Sequence, residues 1–227
     1  MKKKLLGFAM LGICLLYFTA CGKTKMNLND YIIEERNNLF TAQDELYYAT
    51  LSTGLREENY CLDGVKNNMI DFGILSFSKI NKDPLANDNY NYTVLINEES
   101  FTGTLEKSNY DNTYSADIGV SVPNDANIIV QISFTGYTFE QTLQCTSNEF
   151  TISKSDAIAI AQKSLKTELD NMTSDKNTKI EAVTKIVKDY SSESKNLFWY
   201  VGVISTNGET LGILIDAKNG DVVAKKV

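Results

Sequence analysis

Between residues 46 and 145 the chain breaks into short runs rich in Tyr, Thr, Val and Ile, separated by clusters of turn-forming residues. The runs are Tyr47–Thr53, Met69–Ile80, Tyr90–Ile96, Ser100–Lys107, Tyr114–Val122, Asn127–Phe134 and Tyr137–Cys145. Asn81-Lys82-Asp83-Pro84, Ala86-Asn87-Asp88-Asn89, Ser108-Asn109-Tyr110-Asp111-Asn112 and Pro123-Asn124-Asp125 lie between them. Short strands at a spacing of about 8–12 residues pair into an antiparallel sandwich or barrel. An all-β, sandwich-like domain over residues 27–148 is therefore expected. Its opening segment, Leu28–Leu39, sets Leu28, Ile32, Ile33 and Leu39 among charges and reads as a first helix or an irregular lead-in.

Past residue 146 the texture changes. Ser153-Lys154-Ser155-Asp156 has the spacing of a capping box, in which the N-cap hydroxyl and the acid three residues on satisfy each other's backbone N–H. Ile158, Ala161, Leu165, Leu169 and Met172 then recur at helical spacing, which predicts a helix over Ser155–Asn171. Lys179–Tyr190 is open: Ile180, Val183, Ile186 and Val187 fit a helical face, while the β-branched content fits a strand. Leu197–Ser205, Glu209–Asp216 and Asp221–Lys226 read as strands, joined by turns at Asn207-Gly208 and Lys218-Asn219-Gly220. The whole chain is expected to be α+β, a sandwich-like domain followed by a small helix-on-antiparallel-sheet domain over residues 150–227.

Residues 150–227 resemble a PepSY domain. Ile152-Ser153 with Ala157 through Ala161 matches the opening helix of that family. Trp199-Tyr200-Val201 matches its aromatic-led central strand, and Ile215, Asp216, Ala217, Gly220 and Val222 match its closing hairpin. The resemblance implies a helix-on-sheet, cystatin-like fold, a strand at Lys179–Tyr190, and a role in restraining peptidases or in other protein contacts, with no catalytic residues. Asp216 and Gly220 also have a purely structural reading, since any tight turn uses Asp to cap the backbone and Gly to take positive φ.

The start of the chain fixes the expected compartment. Met1-Lys2-Lys3-Lys4 is basic, Leu5–Tyr17 is apolar and uncharged, and Phe18-Thr19-Ala20-Cys21 closes on small residues. That is the pattern of a secretory signal, residues 1–20. The apolar run is shorter than the roughly 20 residues a spanning helix needs. The last four residues resemble the lipobox of bacterial lipoproteins, with Phe18 in place of the usual aliphatic residue. By that resemblance Cys21 carries the lipid, residues 21–26 form a tether, and the protein is extracytoplasmic, anchored to the cell membrane. Removal of residues 1–20 takes away three lysines and no acid, which leaves 19 basic residues against 29 acidic ones, a net charge of −10. Such a surface repels nucleic-acid phosphates, so no nucleic-acid partner is expected. Once Cys14 leaves and Cys21 is acylated, Cys61 and Cys145 remain, either as a disulfide or as two buried thiols. A bridge closing so long a loop would contribute about 4–5 kcal/mol.

Chemistry-bearing side chains are sparse. The chain has no histidine, which removes the commonest general base and the Ser-His and Cys-His arrangements. Two cysteines without histidine are too few for zinc. Glu57-Glu58 and Glu98-Glu99 read as solvated acids rather than a catalytic pair. Ser153-Lys154 and Lys163-Ser164 are neighbours on a helix and do not face each other. Asp83–Asn91 and Asp111–Asp117 offer oxygen ligands without the spacing of a calcium loop, and turn chemistry accounts for them. No metal, cofactor or catalytic residue is expected. Phe198, Trp199 and Tyr200 are consecutive on one strand, so they cannot all face a core. They form the candidate contact surface. The expected function is non-catalytic: a binding or regulatory module whose partner is another envelope protein, with a peptidase as the version the PepSY resemblance implies. The alternative is a solute- or envelope-component-binding lipoprotein, or an enzyme with its site at the domain junction.

Overall fold

A computed structural model describes residues 26–81, 83–109, 112–146, 149–189 and 196–227. The expected signal and Cys21 lie outside the described residues. A short 3-10 helix, Leu28–Tyr31, leads into β1 (Ile32–Gln43). Then follow β2 (Tyr47–Glu57), β3 (Met69–Lys79), β4 (Tyr90–Ile96), β5 (Glu99–Lys107), β6 (Tyr114–Ile118), β7 (Ile128–Phe134) and β8 (Tyr137–Cys145). Helices α1 (Lys154–Ser164) and α2 (Lys166–Met172) precede β9 (Ile180–Lys188), β10 (Leu197–Ser205), β11 (Thr210–Asp216) and β12 (Val222–Lys226).

The expected α+β pair of domains is overturned. Strand makes up 53% of the chain and helix 12%, so the class is mainly β. β1 through β8 form a closed eight-stranded antiparallel barrel rather than a sandwich. One twelve-stranded sheet runs β12-β11-β10-β9-β1-β2-β3-β6-β5-β4-β7-β8, and β8 returns to pair with β1 at Phe40–Cys145 and Thr41–Gln144. The C-terminal strands are thus not a separate helix-covered sheet. They extend the barrel wall through a parallel pairing of β9 with the first half of β1. Closure removes the free edges a sandwich would leave exposed. Leu28–Leu39 is accordingly mostly strand. Its charges Glu34, Glu35 and Arg36 sit in a strand paired on both sides, and a bulge between Arg36 and Asn38 resets its register.

Strand order gives the barrel its two lids. The β3–β4 connection crosses over β6 and β5, and the β6–β7 connection crosses over β5 and β4 at the opposite end. Leu85 from the first and Val122 from the second are buried in the barrel core. Tyr90 and Tyr114 both donate to the carbonyl of Ala86. At the other end Thr53 Oγ1 accepts from Val122 N–H and donates to its carbonyl, which also accepts from Asn38 Nδ2 at 2.7 Å. This is why β6 ends at Ile118 although the strand-like sequence runs to Val122: the last residues turn inward as a plug. Between the lids Phe40, Leu51, Leu75, Phe77, Tyr90, Val94, Val130 and Phe139 fill the interior.

A second core lies between the helices and β9–β11. Ala157, Ile158, Ala161, Leu165 and Leu169 pack on Ile186, Val201, Val203, Ile213 and Ile215, joined by Leu28, Ile32 and Leu39 from the start of the chain. The capping box forms as its spacing requires: Ser153 Oγ accepts from Asp156 N–H at 3.1 Å, and Asp156 accepts from Ser153. The predicted single helix is divided at Leu165, whose backbone leaves helical geometry while its side chain stays buried.

Candidate functional site

The alternation of β10 sorts the aromatic triplet. Leu197, Trp199, Val201 and Val203 point into the helix-covered core, so Phe198 and Tyr200 point to the opposite face. Trp199 is therefore not a surface contact residue. It is 3% exposed, its indole N–H donates to the Ile152 carbonyl at 2.9 Å, and Phe150 lies 5.8 Å away, ring centre to ring centre. Phe198 and Tyr200 stay half-exposed, with Val183, Val187, Ile204 and Leu214 on the same face.

The Tyr200 ring lies down on the sheet. A Cβ on Gly202 would meet the Tyr200 hydroxyl at 2.7 Å, and one on Gly212, directly across the ladder, would meet the ring at 3.3 Å. Two facing glycines clear the space for one aromatic to cover them. Lys185, paired with Tyr200 in the ladder, holds its ammonium 5.3 Å from the ring centre. Burial, and then the Arg36 guanidinium beside it, push the Lys185 ammonium below its usual range, while Glu34 acts the other way. Arg36 is itself bound to Glu34 at 2.6 Å. The result is an apolar, aromatic face with one cation set into it.

A second feature is a cleft at the barrel seam. The β1–β8 ladder stops at Thr41–Gln144, while β1 continues to Gln43 and Tyr137 reaches over to donate to Asp44 at 2.8 Å. The gap holds about 340 Å³ and is lined by Thr41, Gln43, Gln141, Thr142, Gln144 and Lys188. It sits at the point where β8 and β9 part from β1.

Cys61 and Cys145 are not bridged. Cys145 lies across from Phe40, whereas Cys61 sits in the β2–β3 loop beyond the level of Glu34 on β1. Those levels are roughly 20 Å apart along the strand, and a disulfide needs Cα atoms within about 7 Å. Glu57 also departs from its solvated reading, being 4% exposed. The Asp83–Asn91 segment is used in turns: Asp88 accepts from the N–H of Asn89 and of Thr135. Asp117 is paired with Arg56, and Asp111 lies outside the described residues. Among the described residues no cluster of three or more metal-ligating side chains is assembled, and no helix is long and apolar enough to cross a membrane.

No protein-family model, curated protein or solved structure matches the chain.

Proposed function

We propose that this chain is a non-catalytic, lipid-anchored module on the outer face of a cell membrane, and that it binds another envelope protein through the open face of β9–β11. The observation that carries the reading is the pair Phe198 and Tyr200, half-exposed on the face opposite the buried Trp199. Aromatic side chains ordered on a rigid sheet lose little entropy on contact, and they dominate protein interfaces. Lys185, pressed by burial within that face, fits a partner that brings an apolar surface with a carboxylate. The barrel interior supports contact rather than enclosure, since its own side chains occupy it from lid to lid. The PepSY-like motifs of residues 150–227 make modulation of a peptidase the specific form of the proposal.

The test uses the whole chain in its native membrane, with a photocrosslinker at Leu214, on the same face. One protein partner should be captured, and the Phe198→Ala/Tyr200→Ala double variant should lower its yield by at least about tenfold, as loss of a hot spot predicts. An unchanged yield would sink the proposal. One observation favours a second reading, an envelope-polymer binder: the amide-rich seam cleft at the junction of barrel and extension. That reading expects soluble envelope glycans to protect the protein thermally and Gln141→Ala to remove the protection.

A further inference from the structure

Two buried carboxylates grip the β2–β3 loop, residues 58–68. Glu181 on β9 is fully buried and Glu57 at the end of β2 is 4% exposed. Glu181 Oε1 accepts from the backbone N–H of Asp63 at 2.9 Å and of Gly64 at 3.2 Å. Glu57 Oε1 accepts from Asn67 N–H at 2.6 Å. The second oxygen of each, Oε2, is buried with no hydrogen-bond partner among the described residues. Ionised, both are acceptors only. A proton on Glu181 turns its second oxygen from an acceptor into a donor.

The surroundings favour that proton. Burial raises the Glu181 carboxyl above its usual range, and the charges of Glu57 and Asp63 add to the rise against the two backbone N–H bonds. The other groups facing the site are Tyr60 and Cys61 from the loop, and Lys179, whose stem abuts Gly64. Across the ladder β10 presents only Ile204. Burial and the nearby Glu181 push the Tyr60 phenol upward, so it stays neutral and adds no further negative charge.

We propose that Glu57 and Glu181 form a proton-operated latch: with Glu181 protonated they hold the 58–68 loop down on β9, and with Glu181 ionised they release it. The loop carries Tyr60, 62% exposed, and Val65, 58% exposed, so opening the latch changes the apolar surface the molecule presents at that end. Because the carboxyl is raised, the latch is fully closed below the usual carboxylate range. It loses its hold as pH climbs through the Glu181 titration.

Hydrogen exchange at the Asp63 and Gly64 amides of the whole chain, corrected for base catalysis, tests this between about pH 5 and pH 8. In the native protein their protection should fall by up to about tenfold per pH unit between the usual carboxylate range and the Glu181 titration, and level off above it, as one linked proton requires. The Val130 amide in the barrel serves as the steady reference. Glu181→Gln keeps an acceptor for both amides and offers Glu57 a donor, so its protection should stay flat with pH. Glu57→Gln removes one of the charges that raise Glu181, so there the fall should end at lower pH. Flat protection in the native protein, or a slope that survives in Glu181→Gln, would overturn the latch.

Discussion

A Cβ on Gly54 would sit 1.8 Å from the backbone carbonyl oxygen of Glu35 on the neighbouring strand. Backbone cannot step aside, so Gly54→Ala must part β1 from β2. The expected loss is about 3 kcal/mol, at the upper end of overpacking, read by urea denaturation. The three atoms nearest a Cβ on Gly202 all belong to the Tyr200 side chain, which can lift. Gly202→Ala should therefore cost only about 1 kcal/mol, displace the ring and weaken partner capture while the fold persists. Glu181 acts through its proton. A carboxyl raised by folding contributes stability below the usual carboxylate range and loses it as pH rises through the folded value. Glu181→Gln should thus gain stability over the native protein as pH rises from the usual carboxylate range to the folded value and keep that gain above it, in denaturation curves taken across that range.

β1 carries more of the architecture than any other strand. It pairs with β2 along its length, with β9 over its first half and with β8 near its end. The bulge between Arg36 and Asn38 divides those duties and brings Asn38 to the Val122 plug. The plug depends on two polar side chains in an apolar wall. Thr53→Val removes one donor and one acceptor from the backbone of Val122 and should cost about 1–3 kcal/mol, the cost of buried groups left unpaired. A thermal melt measures it. On the helical side, Ser153→Ala removes a cap that is formed in full, with an expected cost of about 1 kcal/mol.

Residues 150–227 do not complete their core alone. Leu28, Ile32 and Leu39 belong to it, and β9 borrows its other neighbour from β1. A fragment of residues 150–227 should therefore show no cooperative unfolding, whereas the chain from Met26 onward should. If the fragment melts cooperatively, the extension is an independent unit and the continuity of the sheet is incidental. The lipid proposal has its own check: Cys21→Ala should move the protein out of the membrane fraction and abolish its labelling by a fatty-acid analogue.

Local residue chemistry accounts for the pieces. Alternating β-branched and aromatic runs mark β2 to β8 and β10 to β12, with Tyr90–Ile96, Tyr137–Cys145 and Leu197–Ser205 placed to the residue. Ser153 and Asp156 mark the start of α1, and Gly208 and Gly220 take positive φ at their turns. Each depends on contacts within a few residues, which spacing encodes. The triplet Phe198-Trp199-Tyr200 likewise revealed that its members must point both ways, but not which way. That was settled by where the segment leading into α1 lies, a contact across 47 residues of chain. The same holds for β1, whose charges disguise a strand until β9 and β2 flank it. It holds for Glu57 and Glu181, which look like ordinary acids until a loop closes over them. Barrel rather than sandwich was decided by Phe40 meeting Cys145. Non-local pairing depends on register and chain path, and no periodicity within a single strand records which distant strand will lie beside it.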